Sequence, residues 1–377
     1  MRQVYVAGVG LTPVGEHWDS SLRELALDAL EAAKRDAPEI KPQALFVSNM
    51  LAGQLSHQEH LGALIADFAG MRGIEAVTVE AAGASGGAAL RQAYLAVASE
   101  QIDSALVVGV EKMTDKVGGS NTAATATAAD SDWESAQGIT PPALAALLMR
   151  RYMHEHKVEL KDFAGFSVNA HLNAQTNPNA MFRSALTAEA YLKAGMIAEP
   201  INMFDTAPDA DGAAALLITS QPAAVRVAGS AMATDTLALH DRPDMLSFEA
   251  ARISAEKAYQ QAGIRPGAVN VFELFDAFTV FAALSLEAAG FAERGQGWTL
   301  SGGEVTRSGR IPVSTFGGLK ARGNPGGATG VYQAGEIVLQ LREAAGPNQV
   351  PGARWGMAQC LGGAGATAAA HIFERLV

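Results

Sequence analysis

Short β-branched runs alternate with amphipathic stretches from one end of the chain to the other, and the alternation begins twice. Val4-Tyr5-Val6-Ala7-Gly8-Val9-Gly10 reads as a strand ending in glycines. Helical periodicity follows over residues 21–35 through Leu22, Leu25, Leu27, Leu30 and Ala33, with Ser20 or Ser21 as N-cap. Val225-Arg226-Val227-Ala228-Gly229-Ser230 then echoes the opening strand, and residues 248–262 echo the first long helix. Strands that alternate with helices in this way bury both faces of a sheet beneath helices. The reading is an α/β protein of two similar halves, residues 1–222 and 223–377.

Further strands are expected at 44–47, 76–79, 104–110 and 213–218, with helices from Ser85 to about Ala98 and from Pro141 to about Tyr152. Residues 114–138 are polar and rich in alanine and threonine, which reads as surface loop. They open a loop region of the first half that runs to about residue 200. In the second half, 270–274 reads as a strand, 278–290 and 326–341 as helices, and 355–361 with 366–372 as a closing strand pair.

Composition narrows the function classes. With 377 residues, 49% of them hydrophobic and 18% charged, the chain has material for a sizeable core and is not disordered throughout. A net charge of −11 gives no general attraction to phosphate backbones or anionic membranes, so nucleic acid is not an expected partner. The single cysteine, Cys360, excludes an intrachain disulfide and any multi-cysteine metal cluster. The pairs His57/His60 and His154/His156 have no third or fourth ligand beside them, so no metal is expected. No apolar run approaches the ~18–20 residues that span a bilayer. The opening residues lack a signal-peptide pattern, and a cytoplasmic location is the expectation.

Five small-residue segments need a joint explanation: 79–89, around Gly83, Ser85 and Gly87; 109–114, with Glu111 and Lys112; 211–215, opening Asp211-Gly212; the glycine loop 317–330; and Cys360-Leu361-Gly362-Gly363-Ala364-Gly365. Their order and spacing resemble the thiolase superfamily over essentially the whole chain, nearest its sterol-carrier-protein-type and archaeal-type members. His171-Leu172-Asn173-Ala174-Gln175-Thr176-Asn177-Pro178 resembles another stretch of that subgroup. The resemblance implies two βαβαβ halves packed as a five-layer α-β-α-β-α sandwich. It also implies a CoA thioester as substrate, no covalently bound cofactor, and a homodimer.

Thiolase chemistry needs a thiolate at a helix N-terminus, two oxyanion holes and a second cysteine as acid/base. Carried over residue by residue, the nucleophile's place is taken by Gly83. The histidine of the family's Gly-His-Pro signature is Asn324, and that of His-Asp-x-Phe is Phe275. The acid/base cysteine alone has a counterpart, Cys360. Gly83 cannot carry an acyl group, but its amide still suits an oxyanion, and the Asn324 amide donates as a histidine N–H would. Ser85, Phe275 and Gly363 are the expected substrate-binding neighbours, and Cys360, Asp276 and Glu273 the candidate bases.

Three functions are therefore open. The first is a C–C lyase that cleaves a 3-hydroxyacyl-CoA by retro-aldol chemistry. Nucleophile-free relatives that act as aldolases imply for it a small OB-fold, zinc-ribbon partner that binds acyl-CoA. The second is an unusual acyltransferase using Cys360, and the third a catalytically silent subunit of a hetero-oligomer.

Overall fold

The computed structural model describes residues 2–116 and 118–376. The first half comprises β1 (Tyr5–Leu11), α1 (Leu22–Asp36), β2 (Ala44–Ser48), α2 (Leu61–Phe68), β3 (Glu75–Val79), α3 (Ser85–Ala98) and β4 (Ser104–Glu111). A loop region follows with α4 (Gly119–Ala126), α5 (Pro141–His156), α6 (Leu160–Ala174), α7 (Ala188–Leu192) and the hairpin β5 (Met196–Ala198) and β6 (Ile201–Asn202). β7 (Gly212–Thr219) returns to the sheet. The second half contains β8 (Val225–Thr234), α8 (Glu249–Ala262), β9 (Val271–Glu273), α9 (Thr279–Ala288), α10 (Thr329–Leu341), β10 (Trp355–Gly362) and β11 (Thr367–Arg375).

The halves share one strand order. From the centre outward it is β1-β7-β4-β2-β3 in the first and β8-β11-β10-β9 in the second. The position equivalent to β3 is reduced to a bridge between Phe272 and Val313. The central strands β1 and β8 meet through Tyr5–Arg226 and Val6–Val225, so nine strands form a single hydrogen-bonded sheet. Each half begins as the sequence reading expected, and each keeps the parallel pairs that helical crossovers require: β2 with β3 and β4, and β9 with β10.

Five layers result. α1 and α2 cover the outer face of the first half-sheet, and α8 covers that of the second. α3 and α10 lie between the half-sheets and touch strands of both. α10 is accordingly buried along nearly its whole length, polar Gln333, Glu336 and Gln340 included. Outer helices keep one wet face. α1 buries Leu22, Leu25, Ala26, Ala29, Leu30 and Ala33, and the Glu24 carboxylate caps it by accepting from Ser21 N–H at 2.7 Å.

The two middle helices meet at their N-terminal turns, where only glycine fits. A Cβ on Gly86 would stand 2.8 Å from the Gly330 Cα, and one on Gly330 would stand 2.5 Å from the Gly87 nitrogen. Both glycine-rich turns are thereby brought to one place. The loop expected over 114–138 differs from the structure, since Gly119–Ala126 is helical and the Ala124 and Ala126 side chains are buried.

Candidate functional site

A cavity of about 290 Å³ opens where the halves meet. Gly83, Phe275, Asn324 and Gly363 all line it, so four residues far apart in sequence share one space. Its remaining wall is mostly apolar, with Met50, Leu51, Met113, Leu144, Phe278 and Phe281.

Gly83 is the middle residue of the turn Ala82–Ala84 that leads into α3. The Ala84 N–H donates to the Ala81 carbonyl at 3.0 Å, and the Ser85 N–H donates to Ala82. Among the described residues the Gly83 N–H has no partner, as expected for a first-turn amide, and Gly83 lines the cavity. No side chain fits here. A Cβ on Gly83 would approach the Leu361 carbonyl oxygen to 2.6 Å and the Phe275 Cζ to 2.7 Å. The Phe275 ring therefore occupies the space that a side chain at position 83 would need.

Asn324 is a half-buried residue in the glycine loop. The Thr329 hydroxyl donates to its Oδ1 at 3.0 Å, which leaves the amide N–H₂ as the end free to donate. Its backbone N–H donates to the Pro208 carbonyl at 3.1 Å, and Asn324 forms a bridge with Asp209.

The other expected site residues lie elsewhere. Cys360 on β10 is 2% exposed and absent from the cavity wall, while the next residue, Leu361, lines it. Alternation along a strand turns neighbouring side chains to opposite faces. The thiol instead lies 3.6 Å from the Ala84 carbonyl, close to where a Cβ on Gly87 or Gly330 would sit. Burial pushes its pKa up to about 12, so it is held as a neutral thiol.

Asp276 is buried, accepts from the Leu319 N–H at 2.7 Å, and braces the glycine loop rather than facing the cavity. Glu273 accepts from the Thr315 N–H and hydroxyl, and burial raises its pKa beside Glu336. The Ser85 hydroxyl donates to the Ala82 carbonyl and accepts from the Ala81 N–H, so it shapes the turn from within. All four are buried and absent from the cavity wall, although Glu273 Oε2 is left without a partner among the described residues.

Sequence reasoning singled out the segment holding Glu111 but gave no role to it, nor to the other groups that build the rest of the site. Glu111, at the end of β4, accepts from the Met50, Leu51 and Gly327 N–H groups and from the Asn49 amide. It ties a loop of the first half to the glycine loop of the second, and burial pushes its pKa up to about 7. Asp209 and Glu134 are the carboxylates on the cavity wall. Asp209 lies two residues before the Asp211-Gly212 pair that the sequence singled out. Among the described residues no group of three or more His, Cys, Asp or Glu is arranged to hold a metal ion.

Family comparison decides the kinship. The thiolase N-terminal domain matches residues 4–222, and the thiolase C-terminal domain-like family matches residues 231–375. The chain belongs to the thiolase family. An acetyl-CoA acetyltransferase of Methanothermobacter thermautotrophicus is 44% identical across 100% of both chains. The benzoylsuccinyl-CoA thiolase subunit BbsB of Thauera aromatica is 33% identical, over 93% of this chain and 91% of its own. Among solved structures, the Ltp2-ChsH2(DUF35) aldolase superposes with a TM-score of 0.85 at 23% identity, over 99% of this chain and 98% of that one. Human mitochondrial 3-ketoacyl-CoA thiolase in complex with CoA superposes at 0.79 and 15%, over 100% and 98%. At those identities the likeness is one of fold. The thiolase fold read from the sequence is the fold observed, and no helix among the described residues is long and apolar enough to cross a membrane.

Proposed function

We propose that this thiolase-family chain is an enzyme of acyl-CoA thioesters that breaks a C–C bond without a covalent acyl-enzyme, by retro-aldol cleavage of a 3-hydroxyacyl-CoA. The pairing of Gly83 with Phe275 carries the reading, because no nucleophile stands in the turn and a ring fills its place. What remains at the wall is a donor set: the Gly83 N–H at the mouth of α3 and the Asn324 amide oriented by Thr329. Donors so placed stabilise a thioester enolate whether a Claisen or an aldol bond is broken, and the aldol bond needs no enzyme nucleophile. The relatives' names, with their acyl-CoA substrates, support the substrate class.

An acyltransferase working through Cys360 is disfavoured by a buried thiol with its pKa near 12 that does not reach the cavity. The test is an assay of the pure protein against 3-hydroxyacyl-CoA and 3-oxoacyl-CoA panels, with and without a small OB-fold, zinc-ribbon partner. Aldehyde or ketone release from the 3-hydroxy series is expected, and Cys360→Ala retains that rate within about threefold. CoA-dependent thiolysis of the 3-oxo series that disappears in Cys360→Ala would overturn the reading. Absence of turnover in every combination would leave a silent subunit.

A further inference from the structure

We propose that Asp209 is the general base of this site, a role that rests on the retro-aldol reading and supplies the group it lacks. The segment 206–209 is stitched into the cavity wall from both sides. Thr206 bridges to Phe278 and the Ala207 N–H donates to the Ala277 carbonyl at 2.8 Å, while Asp209 bridges to Asn324 on the other side. The backbone of Asp209 is thus fixed beside that of Asn324, and both residues line the same cavity.

Three acidic side chains in this region are told apart by their partners. Asp211 accepts from the Met113, Thr114 and His17 N–H groups, the Thr114 hydroxyl and the Lys112 ammonium, and so is a structural knot. Glu134 accepts from the Leu239 and Asp130 N–H groups, one on each oxygen. Asp209 receives one long contact, 3.4 Å from the Asn121 amide to Oδ2, and its side chain is open to the cavity. Among the described residues it is the cavity carboxylate with an oxygen to spare, and no lysine, arginine, histidine, cysteine or tyrosine shares that wall. The side chain is exposed at the cavity, and partial desolvation by the wall beside it shifts its pKa upward, in the direction of a stronger base than a solvated aspartate.

In the step, an Asp209 oxygen takes the proton of the C3 hydroxyl. The C3–O bond becomes a carbonyl, the C2–C3 bond breaks, and its electron pair passes to C2 and the thioester oxygen. The enolate then recovers the proton from Asp209 at C2, leaving an aldehyde or ketone and the shortened acyl-CoA. Nothing is oxidised or reduced by an outside reagent.

The experiment uses 3-hydroxyoctanoyl-CoA as cleavage probe and acetyl-CoA in D₂O as exchange probe. Hexanal release and deuterium entry at C2 are followed in wild type, Asp209→Asn and Asp209→Ser. Both rates are expected to fall about 10²–10⁴-fold in the variants, while the Kd for acetyl-CoA changes less than threefold. Hexanal release that persists within threefold in both variants overturns the base and leaves the lyase standing. Exchange that depends on Asp209 without hexanal release supports the base and removes the lyase. Wild type inert to both probes overturns both.

Discussion

At the residue scale, Gly83 and Phe275 behave as a matched pair. A methyl group at position 83 meets a backbone carbonyl that cannot rotate away and a ring that can be removed. Gly83→Ala should therefore cost about 1–3 kcal/mol, as overpacking in a well-packed site does. Combined with Phe275→Ala, the loss should be less than the sum of the single losses by at least about 0.5 kcal/mol. Chemical denaturation of the four proteins measures that coupling, and strict additivity would mean the ring does not claim this space. That Gly83, Phe275, Asn324 and Gly363 would share one candidate site was legible because each occupies a fixed place in an ordered set of motifs, and the four do line one cavity. Asp209 was not legible, because its position beside Asn324 arises from a bridge between segments over a hundred residues apart. Cys360 lies off the wall for a local reason: one step along β10, the wall passes to Leu361.

At the scale of elements, the strands and helices were largely written in periodicity, and the boundaries moved by a few residues. What was not read was α2, α6, α7, the β5–β6 hairpin and the helix within 114–138, most of which lie in the region read as loop. The contact of β11 with α3 was equally hidden, and it has a titration consequence. His371 is fully buried and its Nε2 lies 3.0 Å from the Gly87 carbonyl, which can only accept, so the neutral ring donates there. Burial lowers its pKa to about 3. A depressed base is a cost paid in acid: as pH falls below ~6.5 the unfolded chain takes up a proton that the folded one refuses. The contribution is intact above that pH and declines by up to roughly 1.4 kcal/mol per unit toward pH 3. His371→Gln keeps an N–H donor and removes the proton uptake. Urea midpoints at pH 7, 5 and 4 should fall more steeply in wild type than in the variant, and parallel profiles would show that the ring is not held neutral.

At the scale of the whole molecule, the cavity exists because two halves with the same strand order face each other through α3 and α10. The first half contributes Gly83, the 122–144 segment and Asp209, and the second contributes Phe275, Asn324 and Gly363. Such a wall sets a charge rule for the acyl group. Two carboxylates line it, no cationic side chain among the described residues does, and most of the remainder is apolar. An anionic acyl tail would lose its hydration and meet like charge, whereas an uncharged tail of the same length gains apolar contact. Octanoyl-CoA should therefore bind at least about tenfold more tightly than its analogue with a terminal carboxylate, a difference of ~1.4 kcal/mol or more. Calorimetric titration at fixed ionic strength measures both, and Asp209→Asn should narrow the gap by removing one of the two charges. Equal affinities would place the acyl tail outside this cavity, and with it the carbon whose bond the site is proposed to break.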